Sequence, residues 1–134
     1  MKKELDNELC EKYPKIFKDR NESKMKTLMC WGFPKDGWFH IIDKLCQHIQ
    51  FHTDNNIPES KRESLQPVAV QVKEKFGTLR FYITGGDEYT DGMITMAEAM
   101  SEITCEECGM PGTLRKSGWW RTRCDKCHDE RINH

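Results

Sequence analysis

Apolar residues recur along this chain in two rhythms, and the places where the rhythm changes mark its elements. Leu5, Leu9, Tyr13 and Phe17 stand four apart, the spacing of one helical face, which predicts a helix over residues 4–20 that Pro14 either ends or restarts. The polar run 19–26 reads as a surface connection, and Gly32, Pro34 and Gly37 mark a turn. Beyond it Trp38, Ile41, Ile42, Leu45 and Ile49 form a second helical stripe, with Asp36 as candidate cap and a loop expected over 53–64 around Pro58. At Val68 the period falls to two. Val68, Val70 and Val72 share a face, and Leu79, Phe81 and Ile83 repeat the pattern after Lys75-Phe76-Gly77, which predicts a β-hairpin closed by Gly85-Gly86. Helical spacing returns with Met93, Met96, Ala97, Met100 and Ile103, opened by Thr90 or Asp91 as cap; such a stripe reads as core.

These elements predict an α+β fold, with a β-hairpin packed on two or three helices over residues 1–104. A C-terminal module over 105–134 follows the last helix without a linker and is expected to pack rigidly on that body. The 134 residues suit one compact unit with a small appendage, and 4 Trp, 3 Tyr and 6 Phe are enough to seed a core. A net charge of −1 removes the basic field of a general nucleic-acid coat and the acidic field of a phosphate mimic, so any charged partner must meet a local patch. No stretch approaches the ~20 apolar residues that cross a bilayer. The opening MKKELDNELC lacks the apolar run of a signal peptide, so the expected setting is a reducing cytoplasm.

That setting changes the reading of the 7 cysteines from disulfides to thiolates. Cys10, Cys30 and Cys46 are scattered and read as small buried side chains. Cys105-Glu-Glu-Cys108-Gly109 and Cys124-Asp-Lys-Cys127 are two pairs separated by fifteen residues, within the range of paired zinc sites. Two cysteines three apart reach one ion from a tight knuckle, Gly109 supplies the backbone freedom it needs, and four thiolates complete a tetrahedron around Zn²⁺. With no ligand position left open, one structural zinc is expected. Cys127-His128 also completes a c-type haem attachment pattern, which would leave the first pair unexplained.

Between the pairs, Arg115, Lys116, Arg121 and Arg123 surround Trp119 and Trp120 with no acidic residue among them, the strongest candidate for a partner surface. The same arginines could instead balance a doubly anionic zinc–thiolate centre. Elsewhere, His48 and His52 stand four apart with His40 and Asp43 nearby, and Asp87, Glu88 and Asp91 cluster at Gly85-Gly86. Neither group matches a helical metalloprotease motif or a calcium loop, and they read as surface histidines and a capping turn.

CEECGMPGTLRKSGWWRTRCDKCHDER resembles zinc-ribbon and treble-clef modules, in which a knuckle, a hairpin and a second cysteine pair opening a helix share one metal. It is also similar to the four-cysteine finger of DksA/TraR-type transcription regulators, which implies action on RNA polymerase, although this chain has no long coiled-coil hairpin with an acidic tip. Cys127-His128 resembles the end of HNH endonucleases, without the Asp-His pair that supplies their base. Over WGFPKDGWFHIIDKLCQHIQ, QVKEKFGTLRFY and GGDEYTDGMITMAEAMSEITCEECG the chain resembles small proteins of tailed bacteriophages and prophages, which implies a bacterial cytoplasm and an accessory role. The expected function is non-enzymatic binding to a bacterial host protein through residues 113–123. Nucleic-acid binding or transcription regulation by the same hairpin is the alternative, and a small metal-dependent hydrolase is third.

Overall fold

The computed structural model describes residues 1–132, which form an α+β fold with two separate two-stranded sheets. Helix α1 (Lys3–Lys12) ends where Pro14 requires, and the chain continues in turns that bury Ile16 and Phe17. Short 3₁₀ turns at Met29–Trp31 and Asp36–Trp38 lead into α2 (Phe39–Asn56), followed by α3 (Glu59–Leu65). Strands β1 (Val68–Lys75) and β2 (Thr78–Thr84) make the hairpin, and α4 (Glu88–Ser101) crosses it. The core joins Trp38, Ile42, Leu45 and Ile49 from the α2 region to Ala69, Val72, Leu79 and Phe81 of the hairpin and Ile94 and Ala97 of α4. Cys46 lies in this core, whereas Cys10 and Cys30 are half-buried.

Both edges of the small sheet are covered, which a two-stranded ribbon needs in order to persist. Along β2, Leu79 N–H donates to Ser101 Oγ (2.9 Å) and Phe81 N–H to Glu98 Oε2 (3.0 Å), so α4 satisfies the outer amides. Along β1, Ala69 N–H donates to Ile16 O at 2.8 Å. A bulge between Ala69 and Gln71 turns Val70 O outward, where it accepts from Leu28 N–H (3.1 Å) and Thr27 Oγ (3.2 Å).

The bulge corrects the expected strand face. Val68, Ala69 and Val72 are buried and Val70 is only half-buried, because the extra residue shifts the pleat by one. The cap of α4 is Asp87, not Thr90 or Asp91: Thr90 N–H donates to Asp87 Oδ1 (3.1 Å) and Thr90 Oγ faces Asp87 N (2.7 Å), a reciprocal capping box. Asp36 caps no helix and instead accepts from Lys2 N–H. The loop expected over 53–64 is mostly helical, as the end of α2 and all of α3. The largest departure is the methionine stripe. Helix α4 faces the core with Thr90, Ile94, Ala97 and Ser101, while Met96 and Met100 on it and Ile103 in the turn after it are 63%, 44% and 58% exposed. The sheet and α2 together need one row of α4, and the small side chains of that row let the helix sit close.

Two turns fix how the C-terminal segment lies on this body. Gly37 N–H donates to Glu106 O at 2.8 Å, and a Cβ on Gly37 would stand 2.1 Å from Cys105 O. Trp38, fully buried, donates from Nε1 to Thr104 O at 2.9 Å. The β1–β2 loop, Phe76-Gly77, has φ of 54° and 80°, the left-handed pair of a tight hairpin turn. Thr122 Oγ donates to Gly77 O at 2.7 Å.

Gly37→Ala should therefore destabilise the protein by about 3 kcal/mol, an overpacking cost placed on backbone that cannot move aside. Chemical denaturation with metal analysis checks this; an unchanged midpoint would mean that the contact is not tight. Asp87→Ala should cost about 1 kcal/mol at neutral pH. Burial would raise the Asp87 carboxyl, but His52 (2.8 Å) and the Thr90 N–H outweigh it and hold the group below its ordinary 3.8. A depressed carboxylate stabilises above its unfolded value and loses that contribution as pH falls through the folded one. The mutant and wild-type stabilities should accordingly converge below pH 3.8, which acid titration of both proteins measures.

Candidate metal centre

Cys105 and Cys108 sit on a knuckle whose backbone folds back on itself. Gly109 N–H donates to Cys105 O (2.9 Å), Cys105 N–H donates to Met110 O (2.7 Å), and Gly109 takes φ 82°, a conformation that glycine adopts without strain. The antiparallel strands β3 (Thr113–Arg115) and β4 (Arg121–Arg123) then carry the chain to α5 (Asp125–Ile132). Cys124 immediately precedes that helix and Cys127 lies in its first turn. Knuckle, hairpin and helix follow in the order expected of a treble-clef-like module.

The four Sγ atoms all lie within 4.8 Å of one another, with Cys108 and Cys124 at 3.6 Å. Zinc–sulfur bonds of 2.3 Å place sulfurs about 3.8 Å apart on a tetrahedron, so this set could hold one metal ion such as zinc. Cys105 is buried, Cys108 is exposed, and Cys124 and Cys127 are half-buried. Cys127 N–H points at Cys124 Sγ (3.4 Å) and, against the effect of burial, draws that thiol down to about 7. Burial and the neighbouring sulfurs push Cys127 up. All four protein ligand positions would be filled, so the ion would act as a cross-link between knuckle and helix.

Beside the cysteines lies a charge cluster whose pairings the linear sequence does not display. Glu106, 1% exposed, places Oε1 3.3 Å from Arg121 Nε and 3.7 Å from the Arg123 guanidinium. Arg121 also pairs with Glu74 of β1, and Arg123 with Glu107, which Lys35 holds from the other side. Three cations thus meet three carboxylates across the seam. Burial raises the Glu106 carboxyl above its ordinary value despite Arg121, Lys35 and Arg123, which all pull it down. Arg115 bonds Arg123 O (3.1 Å) and Asp125 (2.7 Å), and it holds the Asp125 carboxyl low.

The predicted patch therefore divides. Arg115, Arg121 and Arg123 turn inward to carboxylates and backbone, whereas Lys116, Trp119 and Trp120 face solvent. Trp119 is 75% exposed and rests on Arg121 at 5.3 Å; Lys116 lies 5.1 Å from the Trp120 ring. Phe76, at the tip of the other hairpin, meets Trp120 edge-on at 6.1 Å. Together with Glu74, Lys75 and Gly118 these rings line a cleft of about 590 Å³. Sequence reasoning missed Phe76, Glu74, Glu106 and Glu107. The only sequence signal was the Glu-Glu inside the first cysteine pair, opposite an arginine-rich hairpin.

The other candidate groups do not converge. His52 turns inward to Asp87, Asp43 accepts from Lys12 (2.8 Å) and Tyr13 (2.6 Å), and His40 and His48 are exposed on α2. Among the described residues the four cysteines are the group able to hold a metal. No helix among them is long and apolar enough to cross a membrane. No family model, curated protein or solved structure matches the chain.

Purified protein should carry one zinc per chain, and cobalt substitution should give the visible spectrum of a tetrahedral tetrathiolate site. Cys108→Ser should lose both, and acidification should release the metal as the thiolates protonate. A Cys108→Ser protein that retains full zinc would remove the cluster as the site.

Proposed function

We propose that this chain is a phage-encoded, non-enzymatic binding protein, stabilised by one structural zinc, that engages a bacterial host protein through Phe76, Trp119 and Trp120. The observation that carries this reading is the aromatic cleft. Three large rings converge in solvent while the arginines beneath them are already paired. Aromatic anchors of this kind dominate protein interfaces, and neutralised arginines leave little charge to hold a phosphate chain. Phe76 adds a second argument. A non-glycine residue at φ 54° carries backbone strain, and here it presents a ring 62% exposed at a hairpin tip. The resemblance of the body to phage and prophage proteins supports a host target in a bacterial cytoplasm.

Nucleic-acid binding is the second reading, favoured by Lys75 over Phe76 (5.7 Å) and Lys116 over Trp120, where bases could stack and phosphates meet lysine. The two readings differ in salt response, since phosphate contacts weaken steeply as salt rises.

Tagged protein incubated with bacterial lysate, with and without nuclease, should retain a stoichiometric host protein in both halves. Phe76→Ala with Trp119→Ala should weaken that capture about thirtyfold or more, the effect of losing a hot spot of about 2 kcal/mol, and leave zinc content unchanged. Capture abolished by nuclease would favour the second reading. A double mutant that binds normally would move the surface elsewhere.

A further inference from the structure

Helix α4 carries a face that the other described residues leave open. Tyr89, Met96, Met100 and Ile103 are 71%, 63%, 44% and 58% exposed, and with Met93 they form one stripe along α4 and the turn after it. Next to them the helix and α2 enclose a groove of about 470 Å³ whose floor includes Ile41 and Leu45. Apolar strips of this length on polar chains commonly mark interaction surfaces.

Its two borders differ in charge, and Lys44 is the cation of the first. On the α2 side His40, Lys44 and His48 stand four apart, all exposed. On the far flank of α4, at 3.6 residues per turn, stand Glu88, Asp91 and Glu102, also exposed. Between stripe and acids lie Gly92, with open space around its Cβ position, and exposed Ala99. The two helices run antiparallel: His52 near the end of α2 bonds Asp87 at the start of α4, and Trp38 before α2 bonds Thr104 after α4.

We propose that this face is the interface of a two-fold symmetric homodimer, with α4 of one copy laid parallel along α4 of the other and the symmetry axis running along the stripe between them. A surface with an apolar centre, a border carrying Lys44 and an acidic border is complementary to itself under a two-fold rotation about an axis along the stripe, which exchanges the two borders. The rotation sets the Met96 regions together and brings the acidic flank of each α4 to the Lys44 row of its partner copy. Gly92 and Ala99 leave room for the helices to approach. A foreign helix would have to bring the same pattern of apolar stripe and acidic flank, which α4 itself already carries.

Sedimentation equilibrium of the zinc-loaded chain, from low to high micromolar concentration, reads this directly. The expected mass is twice that of the chain. Met96→Glu, at an exposed site that folding does not use, should give monomer with unchanged zinc content and circular dichroism. Lys44→Glu should weaken the dimer about tenfold, and adding Asp91→Lys and Glu102→Lys should restore it. Phe76→Ala with Trp119→Ala should leave the mass at dimer. A wild-type chain monomeric throughout, a dimer that survives Met96→Glu, or one abolished by the aromatic double mutant would each overturn the proposal.

Discussion

The contact on which the other features depend is the approach of the Cys105–Glu106 backbone to Gly37. No side chain fits there, since a Cβ would fall 2.1 Å from Cys105 O and 2.5 Å from Glu106 O. Backbone touching backbone brings the knuckle deep enough for Glu106 to be sealed from solvent, and a sealed carboxylate must be met by cations or it would not remain charged. Arg121 and Arg123 approach it from β4 at ion-pair distance, offsetting part of the burial without a hydrogen bond to Oε1, and Arg121 reaches on to Glu74 of β1. One close approach therefore dictates where the second hairpin lies and which way its arginines point. The aromatic cleft follows from it: Trp119 rests on Arg121, and Trp120 is carried to Phe76.

Such a network is a specificity device more than a source of stability. Removing charges from water costs several kcal/mol each, and pairing returns much of that without a large surplus. Its value lies in excluding other dockings, because any shift of the hairpin would leave Glu106 buried beside the wrong atoms. Residues 105–130 have few buried apolar side chains, so the module depends on three separate holds: the sulfur cluster, the charge seam, and the hydrogen bonds from Gly37, Trp38 and Thr122. A metal at the cysteines would fix the module internally, and the other two fix it to the body.

What could be read from the sequence was whatever is written in local spacing. The period of two at 68–83, the stripe over Trp38–Ile49, the stop at Pro14 and the paired cysteines each express a constraint between near neighbours. The failures were of a different kind. The pleat of β1 was misread because the bulge at Val70 answers to Thr27 and Leu28, over forty residues away. Asp87 was passed over as cap because its neighbours offered the same chemistry; His52, from α2, helps hold it in place. Met96 and Met100 have the right spacing for a core, yet which face of an amphipathic helix is buried depends on what packs against it, and here the row of Ile94 and Ala97 lies against the sheet.

The arginines teach the same lesson for function. In the sequence, four basic residues around two tryptophans read as a positive patch, because the nearest acids lie outside the segment. Folding brings Glu74, Glu106 and Glu107 to them and converts a charged surface into an internal brace. Charge counted along a segment measures potential, whereas charge left after pairing measures what a partner meets. After pairing, the module offers rings with lysines at their margins, a surface whose discrimination rests on shape and burial. On the proposed reading, a partner would have to present a pocket or an aliphatic ridge able to take Trp119 and Phe76 together, since the seam between the two hairpins fixes their separation beforehand.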